Sequence, residues 1–123
     1  MRHYSWLSFV SILLLFASCG KPLPALNNLN LDEWRSDREG CNGQRAGMEQ
    51  AIRSEKDKLL ALDEKQVITI LGRPDQNELY KRNQKFYTYF LAHGPACDPS
   101  PGQPLKLIVR FNAMGLANEV TVE

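Results

Sequence analysis

The side chains here that could carry chemistry are few and poorly assembled. His93 is the one histidine of two that lies outside the first residues of the 123-residue chain. No nucleophile with an identifiable base and orienting group stands out around it, as covalent catalysis requires. Asp32, Glu33, Asp37 and Glu39 form a local acidic cluster, which a solvated turn explains more simply than a paired general acid and base. The glycines at 40, 43 and 47 do not make GxGxxG and follow no strand, so they are not a phosphate loop. The expectation is a protein that is not an enzyme and holds no metal or cofactor.

The three cysteines divide by position. Met1-Arg2-His3 is a short basic start, and Trp6 to Phe16 is an apolar run broken only by Ser8 and Ser11. A span needs roughly 20 apolar residues, so residues 1–18 read as a signal peptide. Leu15-Phe16-Ala17-Ser18-Cys19 resembles a bacterial lipobox, in which the cysteine is acylated and becomes the mature N-terminus. Phe16 departs from the usual leucine, but it is also too bulky for ordinary signal cleavage after Ser18. The other readings are a non-lipidated secreted protein and an uncleaved anchor. Each buried CH₂ of an acyl chain adds ~0.8 kcal/mol, so several chains on Cys19 anchor stably. Gly20 and Lys21, with no aspartate after the cysteine, favour the outer membrane, and the expected side is the periplasmic one.

With Cys19 lipidated, Cys41 and Cys97 are an even pair in an oxidising compartment. The simple reading is one disulfide across 56 residues, for which chain entropy gives about 4 kcal/mol. The alternative is a metal or redox site with His93 and Asp98, although the spacing matches neither CxxC nor Cys₂His₂. Loss of the signal removes Arg2 and leaves 14 basic against 14 acidic residues. A neutral surface gives no field for steering toward nucleic acid or anionic lipid, and no basic block overrules that.

The elements that position these residues follow from spacing. Residues 19–31 predict a lipidated N-terminus and a tether, because Gly20 to Asn30 is rich in proline and asparagine and has no period; its eleven residues reach ~36 Å at most. Residues 32–123 predict a single domain. Trp34 sits in a turn of helix begun at Asp32 and either covers a core edge or binds a partner. From Gln44 to about Leu60, Met48, Ile52 and Leu59 fall on one side, while Arg45, Glu49, Arg53, Lys56, Asp57 and Lys58 take the solvated one. Leu62 to Asp75 is the most fully punctuated stretch. Asp63 and Gln66 form a capping box, Leu62 and Val67 a hydrophobic staple, and Gly72 and Pro74 the stop. Strands are expected over 77–82, 85–92, 105–111 and 116–122, with Asn112 to Gly115 as a hairpin turn.

The segments LDEKQVITILGRPD, KFYTYF and LKLIVRFNAMGLANEVTVE, following a lipobox, resemble the small outer-membrane lipoproteins called SmpA/OmlA or BamE. The resemblance covers roughly residues 44–123. It implies an α+β fold, with two helices packed on one face of a three- to four-stranded antiparallel sheet, shared with the beta-lactamase inhibitor proteins. It also implies non-catalytic support of the machinery that inserts barrels into the outer membrane. The Trp34 segment, the charged helix and the Cys41 and Cys97 pair depart from the family pattern.

The function expected is that of an envelope lipoprotein, held to the membrane by its lipid, that acts by binding other proteins in outer-membrane protein assembly or envelope integrity. The alternative is a periplasmic inhibitor or small-ligand module of the same fold. With Leu107, Val109 and Phe111 under the helices, the other sheet face shows Ile108 and Arg110. If Phe86 and Phe90 point inward, it also shows Tyr87, Tyr89 and Leu91. These aromatics, with Trp34, are the candidate partner contacts. The competing reading is that the Trp34 segment folds over this face.

Overall fold

A computed structural model describes residues 22–99 and 102–123. The signal segment and Cys19 lie outside the described residues. Four strands, β1 (Gln76–Tyr80), β2 (Gln84–Phe90), β3 (Lys106–Phe111) and β4 (Ala117–Val122), form an antiparallel meander in the order β1-β2-β3-β4. The fold is α+β, with three α-helices among the described residues: α1 (Leu31–Ser36), α2 (Glu49–Glu55) and α3 (Glu64–Leu71). Their apolar sides join one core with Leu107, Val109 and Phe111, the alternating buried positions of β3.

Cross-strand register decides which aromatic residues enter that core. Tyr87 stands opposite Val109 and Tyr89 opposite Leu107, so both tyrosines share the inner face with the residues beneath the helices. Tyr89 is fully buried and Tyr87 is 4% exposed. The expectation that Tyr87, Tyr89 and Leu91 line the outer face is therefore corrected. A strand shifted by one position exchanges its two faces entirely, and Phe86 turns outward in their place. Tyrosine is tolerated inside because each hydroxyl finds an acceptor. Tyr89 donates to the Gly72 carbonyl at 2.8 Å and Tyr87 to the Glu64 carboxylate at 2.7 Å.

α3 forms as its sequence dictates. The Asp63 carboxylate accepts from the Gln66 N–H at 2.8 Å, and the Gln66 side chain accepts from the Asp63 N–H at 2.9 Å. Val67, Ile70 and Leu71 are buried, and Gly72 ends the helix at φ 80°. Arg35 of α1 caps that end, donating to the Ile70 and Thr69 carbonyls. These carbonyls lack helical partners, and the cation also suits the negative end of the helix. Asp63→Ala is expected to cost ~1 kcal/mol, read as a lowered denaturant midpoint with an unchanged slope.

The helix expected over 44–60 is broken into a 3-10 turn (Ala46–Met48), α2 and a second 3-10 turn (Lys56–Leu59). Its buried stripe includes Met48, Ile52 and Leu59, and also Arg45 and Glu55. Arg45 thus lies in the interior, not on the wet face. The expected tether is different too. Leu26 and Leu29 are core residues, Lys58 Nζ donates to the Ala25 carbonyl, and Asn28 donates to Glu55. The described part of that segment is docked on the end of α2 and the 3-10 turn after it, so the packed domain begins before residue 32.

Candidate functional site

Two regions have the polar or exposed character a site needs. The first is a buried charge cluster at the end of the sheet where β2 finishes. Arg45 is fully buried, and its guanidinium stacks on the Trp34 ring, 4.9 Å from the centroid. Its Nε donates to the Trp34 carbonyl at 2.8 Å, and its Nη1 donates to Asp75 at 2.6 Å and to the Phe90 carbonyl at 3.1 Å. The Asp75 carboxylate, with no side-chain exposure, also accepts from the Phe90 N–H at 2.8 Å and the Glu39 N–H at 3.2 Å. Arg38 lies 3.6 Å from its other oxygen. Asp37, placed by sequence in a solvated acidic cluster, is fully buried and accepts from the Asn42 and Arg45 N–H groups.

This cluster is a clasp. Each Asp75 oxygen accepts at least one hydrogen bond and faces an arginine, which compensates the carboxylate in a low-dielectric site. The clasp ties residues 34–45 to the end of β2 and to the turn after α3. Gly40 permits the close approach: at φ 65°, a Cβ there would lie 2.7 Å from the Leu91 carbonyl carbon. Cys41 and Cys97 are bonded, with Cα atoms 5.4 Å apart, so these thiols are not free to ligate a metal with His93 and Asp98. His93 is exposed, and its backbone N–H donates to the Gly40 carbonyl.

Trp34, a candidate partner contact in the sequence, is fully buried and packs against Tyr89 at 6.2 Å between ring centroids. It lies on the helix side of the sheet, so it neither contacts a partner nor covers the outer face. Trp34, Tyr87 and Tyr89 are therefore removed from the candidate surface.

The interior tyrosines have an electrostatic signature. Burial holds both phenols well above the ordinary value of 10.0, and the hydrogen bond and negative charge of Glu64 add to this for Tyr87. The folded state keeps these protons more tightly than the unfolded chain does. Their stabilisation is complete below pH ~10 and is lost as pH rises through the folded values. In an alkaline titration, the phenolate absorbance of Tyr87 and Tyr89 is expected to appear together with loss of helical circular dichroism, not before it.

The second region is the outer sheet face. Register places Gln76, Glu78 and Tyr80 beside Gln84, Phe86 and Thr88, and these beside Ile108 and Arg110. Ile108 and Arg110 are thus on this face, half-buried in the sheet. Tyr80 and Phe86 make an edge-to-face pair at 5.7 Å, and Arg110 pairs with Glu119 of β4 at 3.2 Å. β4 is shielded at its start, where Ala117 accepts from the Ala61 N–H and donates to the Leu62 carbonyl, whereas every residue of β1 is exposed. Phe86 was not picked out by sequence because the phase of β2 was read the other way, and Tyr80 because the first strand carries no alternation that assigns its faces. Comparison with family models, curated proteins and solved structures finds no match to this chain.

Proposed function

We propose that this chain is a non-catalytic lipoprotein of the outer membrane, facing the periplasm, that acts by binding other envelope proteins in outer-membrane protein assembly or envelope integrity. The observation that carries this reading is the Tyr80 end of the outer face, where exposed Tyr80 and half-buried Phe86, Ile108 and Arg110 present a mixed aromatic, aliphatic and cationic surface. Tyrosine and arginine are the usual anchors of protein interfaces, and apolar bodies with polar ends suit a surface that is wet until bound. A meander with helices on one side only is compatible with the BamE-like arrangement that the sequence resemblance implies. That resemblance, with the lipobox at Cys19, supports the envelope location.

The test is photo-cross-linking from position 108 in cells, followed by capture from detergent-solubilised envelope. Recovery of barrel-assembly subunits is the expected result. A soluble hydrolase would instead favour the inhibitor reading, and no cross-linked protein would remove the binding role. Phe86→Ala and Arg110→Ala should each reduce capture about tenfold, the effect of losing ~1.4 kcal/mol at an interface anchor.

A further inference from the structure

Among the described residues, the large hydrophobic side chains left exposed are Leu23, Leu60, Leu79, Tyr80 and Met114. All five lie at one end of the molecule. Antiparallel pairing brings the turn after Tyr80 and the turn after Phe111 to the same end of the sheet. Leu79 and Met114 line one cleft there with Glu64 and Phe111. Leu60 lines a second with Pro22, Pro24 and Gln66. The first turn of α3 separates the two clefts, and the pairing of Asp63 with Leu116 fixes it to the start of β4. The Cys41–Cys97 bond and the Arg45 clasp occupy the opposite end, where β2 finishes.

We infer that this end is a membrane-docking surface, with its five apolar side chains entering the headgroup region of a phospholipid bilayer and Lys81 and Arg82 meeting the phosphates. The inference goes beyond the protein-binding role and rests on that reading only for the lipid at Cys19. Three features of the chain point to a bilayer. Cys19 precedes Pro22 by three residues, which extend ~10 Å at most, so an acylated Cys19 holds this end against the membrane. Lys65, Lys81 and Arg82 form no ion pair among the described residues. Of the nearby carboxylates, Glu64 is engaged by Lys85 and Tyr87 and Asp63 accepts from the Gln66 N–H, while Glu78 is exposed and in no ion pair among the described residues. Lys65, Lys81 and Arg82 exceed Asp63 and Glu78 by one charge, so this end is apolar with a slight basic excess, which suits anionic lipid.

The distribution of the apolar groups also matters. They sit separately on a loop, a strand end and a turn, with Met114 80% and Leu79 70% exposed. A protein interface needs a contiguous, shape-matched core. The headgroup layer accepts separate apolar tips at a common depth, and tyrosine is favoured there because its ring and hydroxyl suit opposite sides of the boundary. Docking at this end commits Tyr80 to the headgroups and leaves Phe86, Ile108 and Arg110 of the outer sheet face for a partner.

The test uses the full chain purified from membranes and reconstituted into vesicles of phosphatidylcholine with a minor share of phosphatidylglycerol. Tyr80→Trp and Met114→Trp report from the docking end, and Gln103→Trp from the far end, over a common background from buried Trp34. Brominated acyl chains are expected to quench the added emission at 80 and 114 and to leave that at 103. Equal quenching at all three positions, or none at 80 and 114, overturns the docking. The mass of each purified chain reports acylation separately. An acylated chain with unquenched tips overturns the docking alone. An unacylated chain with quenched tips supports docking and overturns the lipid at Cys19.

Discussion

Asp75→Ala is expected to destabilise the protein by ~3–5 kcal/mol, the usual cost of removing one partner from a buried ion pair. The loss is not that of one contact. Arg45 would remain buried with its charge uncompensated, and the Phe90 and Glu39 N–H groups would lose their acceptor. Urea unfolding followed by Trp34 emission measures the effect, since Arg45 stacks on that ring. Arg45→Met combined with Asp75→Leu should recover much of the loss, because removing both charges leaves none buried alone. A double variant as unstable as Asp75→Ala would show that shape, not charge, is what the clasp supplies.

Replacing both Cys41 and Cys97 by serine is the second large effect, a loss of about 4 kcal/mol for a bridge across 56 residues. The bridge at Cys41 and the clasp act on the same segment, 34–45. Once one is lost, that segment is held by fewer contacts and the other has less to hold. The two losses are therefore expected to be subadditive. Full additivity in denaturant midpoints would mean that bridge and clasp stabilise independently.

The elements whose signals are local were legible. α3 needed only Asp63, Gln66, Gly72 and Pro74, because a cap and a stop are formed by residues within a turn of one another. β3 was legible because its period of two is unbroken, whereas in β4 a register shift opposite Arg110 and Phe111 puts Ala117 and Val120, three residues apart, in the core, although alternation had set them on opposite faces. The phase of β2 was not legible. QKFYTYFLA is apolar at nearly every position, so alternation cannot say which set points inward. That choice belongs to the pairing of Tyr87 with Val109 and to the acceptors at Gly72 and Glu64.

Arg45 shows the same limit from the other side. Residues 45, 48, 52, 55 and 59 follow the spacing of one buried helical stripe, but Arg45 was assigned to solvent because it is charged, and Glu55 was placed on neither side. Their spacing was the available signal. Burial became possible only when Asp75, 30 residues away, and the Phe90 carbonyl, 45 away, supplied partners. By itself the sequence determined the capped helix, the strand-rich second half and the near-neutral charge, since each depends on neighbours in the chain or on totals. The tertiary structure alone decided which aromatics face out, which charges go in, that residues 22–30 are docked, and that the exposed apolar side chains gather at one end. Those properties depend on groups brought together from distant parts of the chain, and no local pattern records the meeting.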